Sequence, residues 1–173
     1  MKETLQIINQ MLVDGVIRKY AIGGAVGATF YLEPSATLDI DIFVSFETAP
    51  GRALILLSPI YDYLKARGCR EEGEHVVIGG WPVQFLPAPD ALAEEAVAQA
   101  VETDVEGVRT WVMTAEHLVA IALQTGRAKD HIRILQFIDS GMVDADTLDA
   151  ILARHGFLEQ WEQFGHKFLE DRK

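Results

Sequence analysis

Two aspartates and two glycines are the residues whose types and spacing could do chemistry. Asp39 and Asp41 stand in the run Leu38-Asp39-Ile40-Asp41-Ile42-Phe43-Val44. Its alternation has the period of a strand. Leu38, Ile40, Ile42 and Val44 then share one face, and Asp39, Asp41 and Phe43 the other. The two carboxylates leave the same face with Cα atoms roughly 6.5–7 Å apart. Held that close they repel one another, and a divalent cation between them removes the repulsion. Magnesium suits the place, because it takes a few hard oxygen ligands and leaves positions open for substrate phosphates. The plainer alternative is a pair of aspartates facing solvent on a half-exposed strand. Against it, aspartate is a poor strand former, and here two of them interrupt an otherwise apolar strand. Gly23-Gly24 follows the short apolar strand Tyr20-Ala21-Ile22 and opens a small-residue helix from Ala25 to about Leu32, stopped by Pro34. Glycine lets the backbone approach a ligand closely, and a helix start offers N–H groups to an anion. A triphosphate could lie there while its metal sits on the aspartates.

A second cluster is Arg127-Ala128-Lys129-Asp130-His131-Ile132-Arg133, the basic cluster of an acidic chain. On a helix Arg127 faces the same way as His131, and Lys129 the same way as Arg133. Two readings stand side by side. In one, Lys129 and Arg127 neutralise phosphates and Asp130 orients a base or the lysine. In the other, the segment is a solvated helix with ordinary ion pairs. His75, His117, His155 and His166 show no metal-ligand spacing with one another, and each reads as a solvated or hydrogen-bonded histidine. Phe157, Trp161, Phe164 and Phe168 form an aromatic stripe at helical spacing, which reads as a packing seam or else a dimer or partner contact.

These residues need a frame. Leu5, Ile8, Leu12 and Val16 predict an amphipathic helix over 3–17. A helix from Gly51 to Arg67 carries the stripe Leu54, Leu57, Ile60, Tyr61 and Leu64. Strands over 74–78 and 81–86 form a hairpin at Gly79-Gly80. Residues 91–101 read as an Ala-rich helix and Val108–Met113 as a last strand. Helices follow over about 115–124, 128–139, 145–154 and 157–170, punctuated by Gly126, Gly141 and Gly156. The expected architecture is an α/β portion, residues 1–113, with a mixed sheet and flanking helices. A C-terminal helical bundle, residues 114–173, is expected to pack on it.

The chain has 173 residues, with 15 Lys+Arg against 26 Asp+Glu and a formal net charge of −11. Such a surface repels phosphate backbones and anionic lipid, which weighs against a nucleic-acid coat protein or polybasic membrane binder and leaves open a local basic site facing a nucleotide. The single Cys69 rules out an internal disulfide and a cysteine cage for zinc or iron–sulfur within one chain. No apolar run approaches the ~18 residues that cross a bilayer, and the N-terminus lacks the pattern of a signal peptide. The expected setting is cytoplasmic, with no membrane partner.

With these motifs in view, the chain resembles the nucleotidyltransferase superfamily that includes DNA polymerase beta. It is most similar to the small bacterial nucleotidyltransferase proteins related to the AbiEii toxins. The likeness is carried by Ala21-Ile22-Gly23-Gly24-Ala25, by Thr37-Leu38-Asp39-Ile40-Asp41-Ile42-Phe43-Val44, and more loosely by Thr114-Ala115-Glu116-His117-Leu118 with Gly126-Arg127-Ala128-Lys129-Asp130. It spans roughly residues 20–140. The resemblance implies a nucleotidyltransferase-like fold and transfer of a nucleoside monophosphate from a magnesium-bound NTP to an acceptor hydroxyl. The acceptor would be a small molecule, a protein or a tRNA end. It also implies metal on Asp39 and Asp41, phosphates at Gly23 and Gly24 with Arg127 nearby, and catalytic roles for Lys129 and Asp130. One position departs from the family pattern. A third carboxylate is expected on a later strand, and the matching stretch Trp81-Pro82-Val83-Gln84-Phe85-Leu86 carries Gln84. Glutamine can offer an oxygen to the nucleotide or its metal but cannot act as a base at neutral pH. Glu72 and Glu74 lie close by in sequence and could serve instead. The resemblance therefore leaves a second expectation open: a non-catalytic nucleotide-binding or toxin–antitoxin interaction module, with a partner protein or a second copy of itself. A D-x-D glycosyltransferase is a third, though it leaves Gly23-Gly24 unexplained.

Overall fold

The structure is a computed structural model that describes residues 1–33, 39–45 and 57–170. The chain divides into two compact units, Met1–Met113 and Thr114–Lys173.

The first unit is a seven-stranded mixed sheet with order β3-β4-β5-β2-β1-β7-β6. Its strands are β1 (Lys19–Ile22), β2 (Ile40–Ser45), β3 (Arg70–Glu72), β4 (His75–Ile78), β5 (Trp81–Pro87), β6 (Val101–Val105) and β7 (Val108–Val112). β2 is central. It pairs antiparallel with β1 and parallel with β5, which places Asp41 opposite Gln84 and Ile40 opposite Val83. Along β2 burial alternates, with Ile40, Ile42 and Val44 fully buried and Asp41 and Phe43 half-buried. The alternation predicts this two-faced strand from Leu38, but it begins at Ile40; Asp39 immediately precedes it, and Leu38 lies outside the described residues.

The helices of this unit divide between the faces. α1 (Lys2–Val13) brings Leu5, Ile8 and Met11, and α3 (Ser58–Ala66) brings Ile60 and Leu64, into one cluster with Ile40, Ile42, Val44, Val76, Ile78, Val83 and Phe85. Each such side chain contributes about 1.5–3 kcal/mol by leaving water. α4 (Ala91–Ala98), capped by the Asp90 carboxylate on the Ala93 N–H, contacts β1 and β2. Its Leu92 and Val97 are buried outside that cluster. Ser45 Oγ donates to Glu94, so α4 lies at the C-terminal end of β2. The aspartates are at the other end.

Several elements differ from the sequence expectation. The helix after Gly23 is only α2 (Gly24–Ala28); Pro34 lies outside the described residues. The helix expected from Gly51 is described from Ser58, with residues 51–56 outside. The Ala-rich helix ends at Ala98, and residues from Val101 form β6, hydrogen-bonded to β7. The hairpin Gly79-Gly80 is present, with both glycines at positive φ and Ile78 paired to Trp81.

The second unit contains α5 (Ala115–Thr125), α6 (Ala128–Ser140), α7 (Ala145–His155) and α8 (Leu158–Phe168). Gly126, Gly141 and Gly156 end the first three of these in the left-handed conformation. Asp144 caps α7 by accepting the Thr147 N–H, and the Thr147 side chain first, then this backbone N–H, lower its carboxyl pKa below the usual range. The aromatic stripe of α8 packs inside this unit: Trp161 stacks on Phe164, and His131 of α6 lies against Phe164 and Phe168.

Candidate functional site

The site is built on the polar face of β2. β1 ends at Ile22, and Gly23 turns the chain into α2. The Gly23 N–H donates to Asp41 O at 3.0 Å, which fastens the turn to β2 beside β1. Both glycines are required by contact. A Cβ on Gly23 would stand 2.7 Å from the Phe43 ring. A Cβ on Gly24, which has φ +57°, would stand 1.8 Å from Asp41 Oδ2. The Asp41 carboxylate therefore packs directly on the Gly24 backbone, in space that no other residue would leave. The first hydrogen bond of α2 runs from the Gly27 N–H to Gly23 O, so the N–H groups of residues 24–26 have no acceptor within the helix.

Asp39 immediately precedes β2. Its Oδ2 lies 3.2 Å from His75 Nε2, and both side chains keep about a third of their surface exposed, at 36% and 31%. On the far side of β2, Gln84 occupies the register position opposite Asp41. Its Nε2 lies 3.5 Å from Glu74 Oε2. The polar face thus joins Gly24, Asp41, Gln84, Glu74, Asp39 and His75 across the ends of β1, β2, β5 and β4. Tyr61 of α3 senses the acidity of this hairpin: burial, and then the charges of Glu71 and Glu74, raise its pKa.

The donor set fits magnesium. Asp39 and Asp41 offer the hard carboxylate oxygens that this ion takes. Among the described residues no group of three or more His, Cys, Asp or Glu is gathered for a metal. Two protein carboxylates with the remainder supplied by phosphate and water is the pattern of a substrate-borne magnesium.

Arg127, Lys129 and Asp130 belong to the second unit, at the start of α6. Asp130 is buried, and its Oδ2 accepts from Arg127 Nε at 2.6 Å and from the Arg127 backbone N–H at 3.3 Å. Arg133 Nη1 lies 3.5 Å from its Oδ1. This carboxylate closes the first turn of its helix. Lys129 is exposed on the same turn.

His75 is the residue whose involvement spacing alone conceals. The available signal is the strand His75-Val76-Val77-Ile78, in which Val76 and Ile78 are buried and His75 is on the other face. That strand is hairpinned to the one carrying Gln84.

This sheet order, with its strand–Gly-Gly–helix turn beside an Asp-x-Asp strand, is a nucleotidyltransferase-like fold. No sequence family matches the chain, and no curated protein sequence matches it significantly. Solved structures do. The antibiotic-resistance factor ANT(2″)-Ia in solution is 16% identical, with a TM-score of 0.50 over 94% of this chain and 95% of its own. The crystal structure of ANT(2″)-Ia with adenylyl-2″-tobramycin is 16% identical, with a TM-score of 0.50 over 91% of this chain and 98% of that one. An antigenic nucleotidyltransferase-like protein from Paracoccidioides brasiliensis is 15% identical, with a TM-score of 0.51 over 93% of each chain. The shared property is the fold. Among the described residues no helix is long and apolar enough to cross a membrane.

Proposed function

We propose that this protein transfers a nucleoside monophosphate from a magnesium-bound NTP to a hydroxyl of a cationic small molecule. The observation that carries the reading is the Asp41 carboxylate seated on the bare backbone of Gly24, with Asp39 two residues away, immediately before the same strand. Asp39 and Asp41 would hold the magnesium, which when bound neutralises phosphate charge and polarises the attacked phosphorus. The turn at Gly23-Gly24 would receive the phosphates on the N–H groups of residues 24–26, the Gly23 N–H being held by Asp41 O. The acceptor oxygen forms a bond to the α-phosphorus, the bond to pyrophosphate breaks, and the hydroxyl proton must leave. Gln84 cannot take that proton. Glu74, whose carboxylate stands beside the Gln84 amide, is the group proposed to receive it.

Three observations support the acceptor class. The protein carries a net charge of −11. Glu71, Glu72 and Glu74 crowd the β3–β4 hairpin beside the site. A fold neighbour has been solved with an adenylyl-tobramycin product. The test is incubation with each labelled NTP, Mg²⁺ and a panel of amino-sugar acceptors, with tRNA and cell extract as comparisons. Labelled product and pyrophosphate are expected from wild type and from neither Asp39→Asn nor Asp41→Asn. Equal labelling by the mutants would reject the site. Gln84 favours one second reading, a nucleotide-binding module without turnover. Calorimetry showing Mg-NTP binding with no pyrophosphate released in the presence of any acceptor would establish that reading instead; a toxin–antitoxin role is compatible with either.

A further inference from the structure

We propose that His75 is a positioning residue for Asp39, acting through that carboxylate and not on the substrate. The inference rests on the assignment of Asp39 and Asp41 as the metal-holding pair. A carboxylate on a short side chain rotates readily about its last torsion, which is broad and roughly two-fold. A metal site needs that rotation stopped. Asp41 is stopped by steric contact, because its Oδ2 rests against the Gly24 backbone. Asp39 stands one residue before β2 begins and two from that contact.

His75 supplies the corresponding restraint. Its Nε2 is 3.2 Å from Asp39 Oδ2. The residue is anchored through its backbone: His75 begins β4, pairs with Glu72 across the β3–β4 turn, and is followed by the buried Val76. The antiparallel register of β4 and β5 pairs Val76 with Val83, and one residue further sets His75 opposite Gln84. Gln84 in turn is opposite Asp41. The ring therefore enters the site from the strand beyond Gln84 and binds one Asp39 oxygen, which fixes the plane of the carboxylate. Hydrogen-bonded partners of ligating carboxylates commonly matter in this way, and losing one costs about 10–100-fold in metal affinity.

The test is Mn²⁺ binding to the full chain, followed by electron paramagnetic resonance, with and without a non-hydrolysable NTP analogue. Gln places its amide nitrogen where histidine has Nε2, and Asn places it where histidine has Nδ1. His75→Gln should bind Mn²⁺ within about 3-fold of wild type, while His75→Asn should lose about 10-fold or more. Both variants are polar and half-exposed, and their circular-dichroism melts should overlay that of wild type. Equal affinity for wild type, His75→Asn and His75→Gln would overturn the inference. So would nitrogen modulation of the wild-type Mn²⁺ signal, which would make His75 a direct ligand. If wild type binds no Mn²⁺, or Asp39→Asn and Asp41→Asn bind it as well as wild type does, the metal assignment itself fails. Loss in the aspartate variants with none in His75→Asn rejects the positioning role alone.

Discussion

A methyl group at position 24 would occupy the space that one carboxylate oxygen now fills, and this sets the sharpest prediction at the residue scale. Gly24→Ala must accept a left-handed backbone, at about 1–2 kcal/mol, and must also expel the Asp41 carboxylate from its seat. Gly126→Ala has a similar φ, but its new Cβ would meet nothing closer than Leu123 O at 3.7 Å. Urea denaturation should therefore show a small loss for Gly126→Ala and a loss larger by about 1 kcal/mol or more for Gly24→Ala. Only Gly24→Ala should abolish nucleotidyl transfer. For Glu74→Gln, the proposed proton acceptor, kcat should fall about 10²–10⁴-fold while KM for NTP stays level. An unchanged kcat would remove Glu74 from the reaction. Much of this site is legible in the amino-acid sequence. The Asp-x-Asp alternation and the glycine pair depend on neighbours along the chain, and local periodicity carries both. The restraints on the two carboxylates are not legible there: Gly24 packs on Asp41, and His75 reaches Asp39 from across β5, because strand register is a long-range property.

At the scale of elements, the start of α6 separates two jobs that its sequence mixes. Asp130 is buried between Arg127 and Arg133 and reaches back to its own helix start. Asp130→Ala should cost about 2 kcal/mol, less than a fully buried pair because Arg127 remains more than half exposed. Lys129→Ala, at an exposed position of the same turn, should leave the melting temperature unchanged. Other elements show where sequence periodicity is silent. β3 is Arg-Glu-Glu and wholly exposed, so it offers no hydrophobic alternation to read. It pairs because the turn at Gly73 folds it onto β4. β6 follows the Ala-rich helix without a break signal, and its Val-Glu-Thr-Asp-Val becomes a strand through the Glu106-Gly107 turn, where both residues have positive φ.

At the scale of the whole first unit, Tyr20 ties three elements together. Its hydroxyl donates to Asn9 Oδ1 of α1 at 2.9 Å and lies 2.9 Å from Thr110 Oγ1 of β7, and burial pushes its pKa up to about 12. The fold therefore holds a proton that the unfolded chain releases near pH 10. This stabilisation is complete below about pH 10 and is lost as pH rises toward 12, a drop of about 2–3 kcal/mol. Denaturation midpoints measured between pH 9 and 12 should show that slope in wild type and a shallower one in Tyr20→Phe, where Tyr61 and Tyr63 still carry raised pKa values. The same region contains a thin place. β1 and β7 share one ladder pair, Ile22 with Val112, followed by the Met113 N–H on Ile22 O. Beyond it, the β6–β7 hairpin is held by clasps from α1: Glu106 accepts the Lys2 N–H, and Asn9 donates to Arg109 O. Amide deuterium uptake should therefore run faster along β6 and β7 than along β2 and β5. A breathing motion at that seam would also loosen Met113 from beside Gly23, so the glycine bend would feel the hairpin open from some distance away.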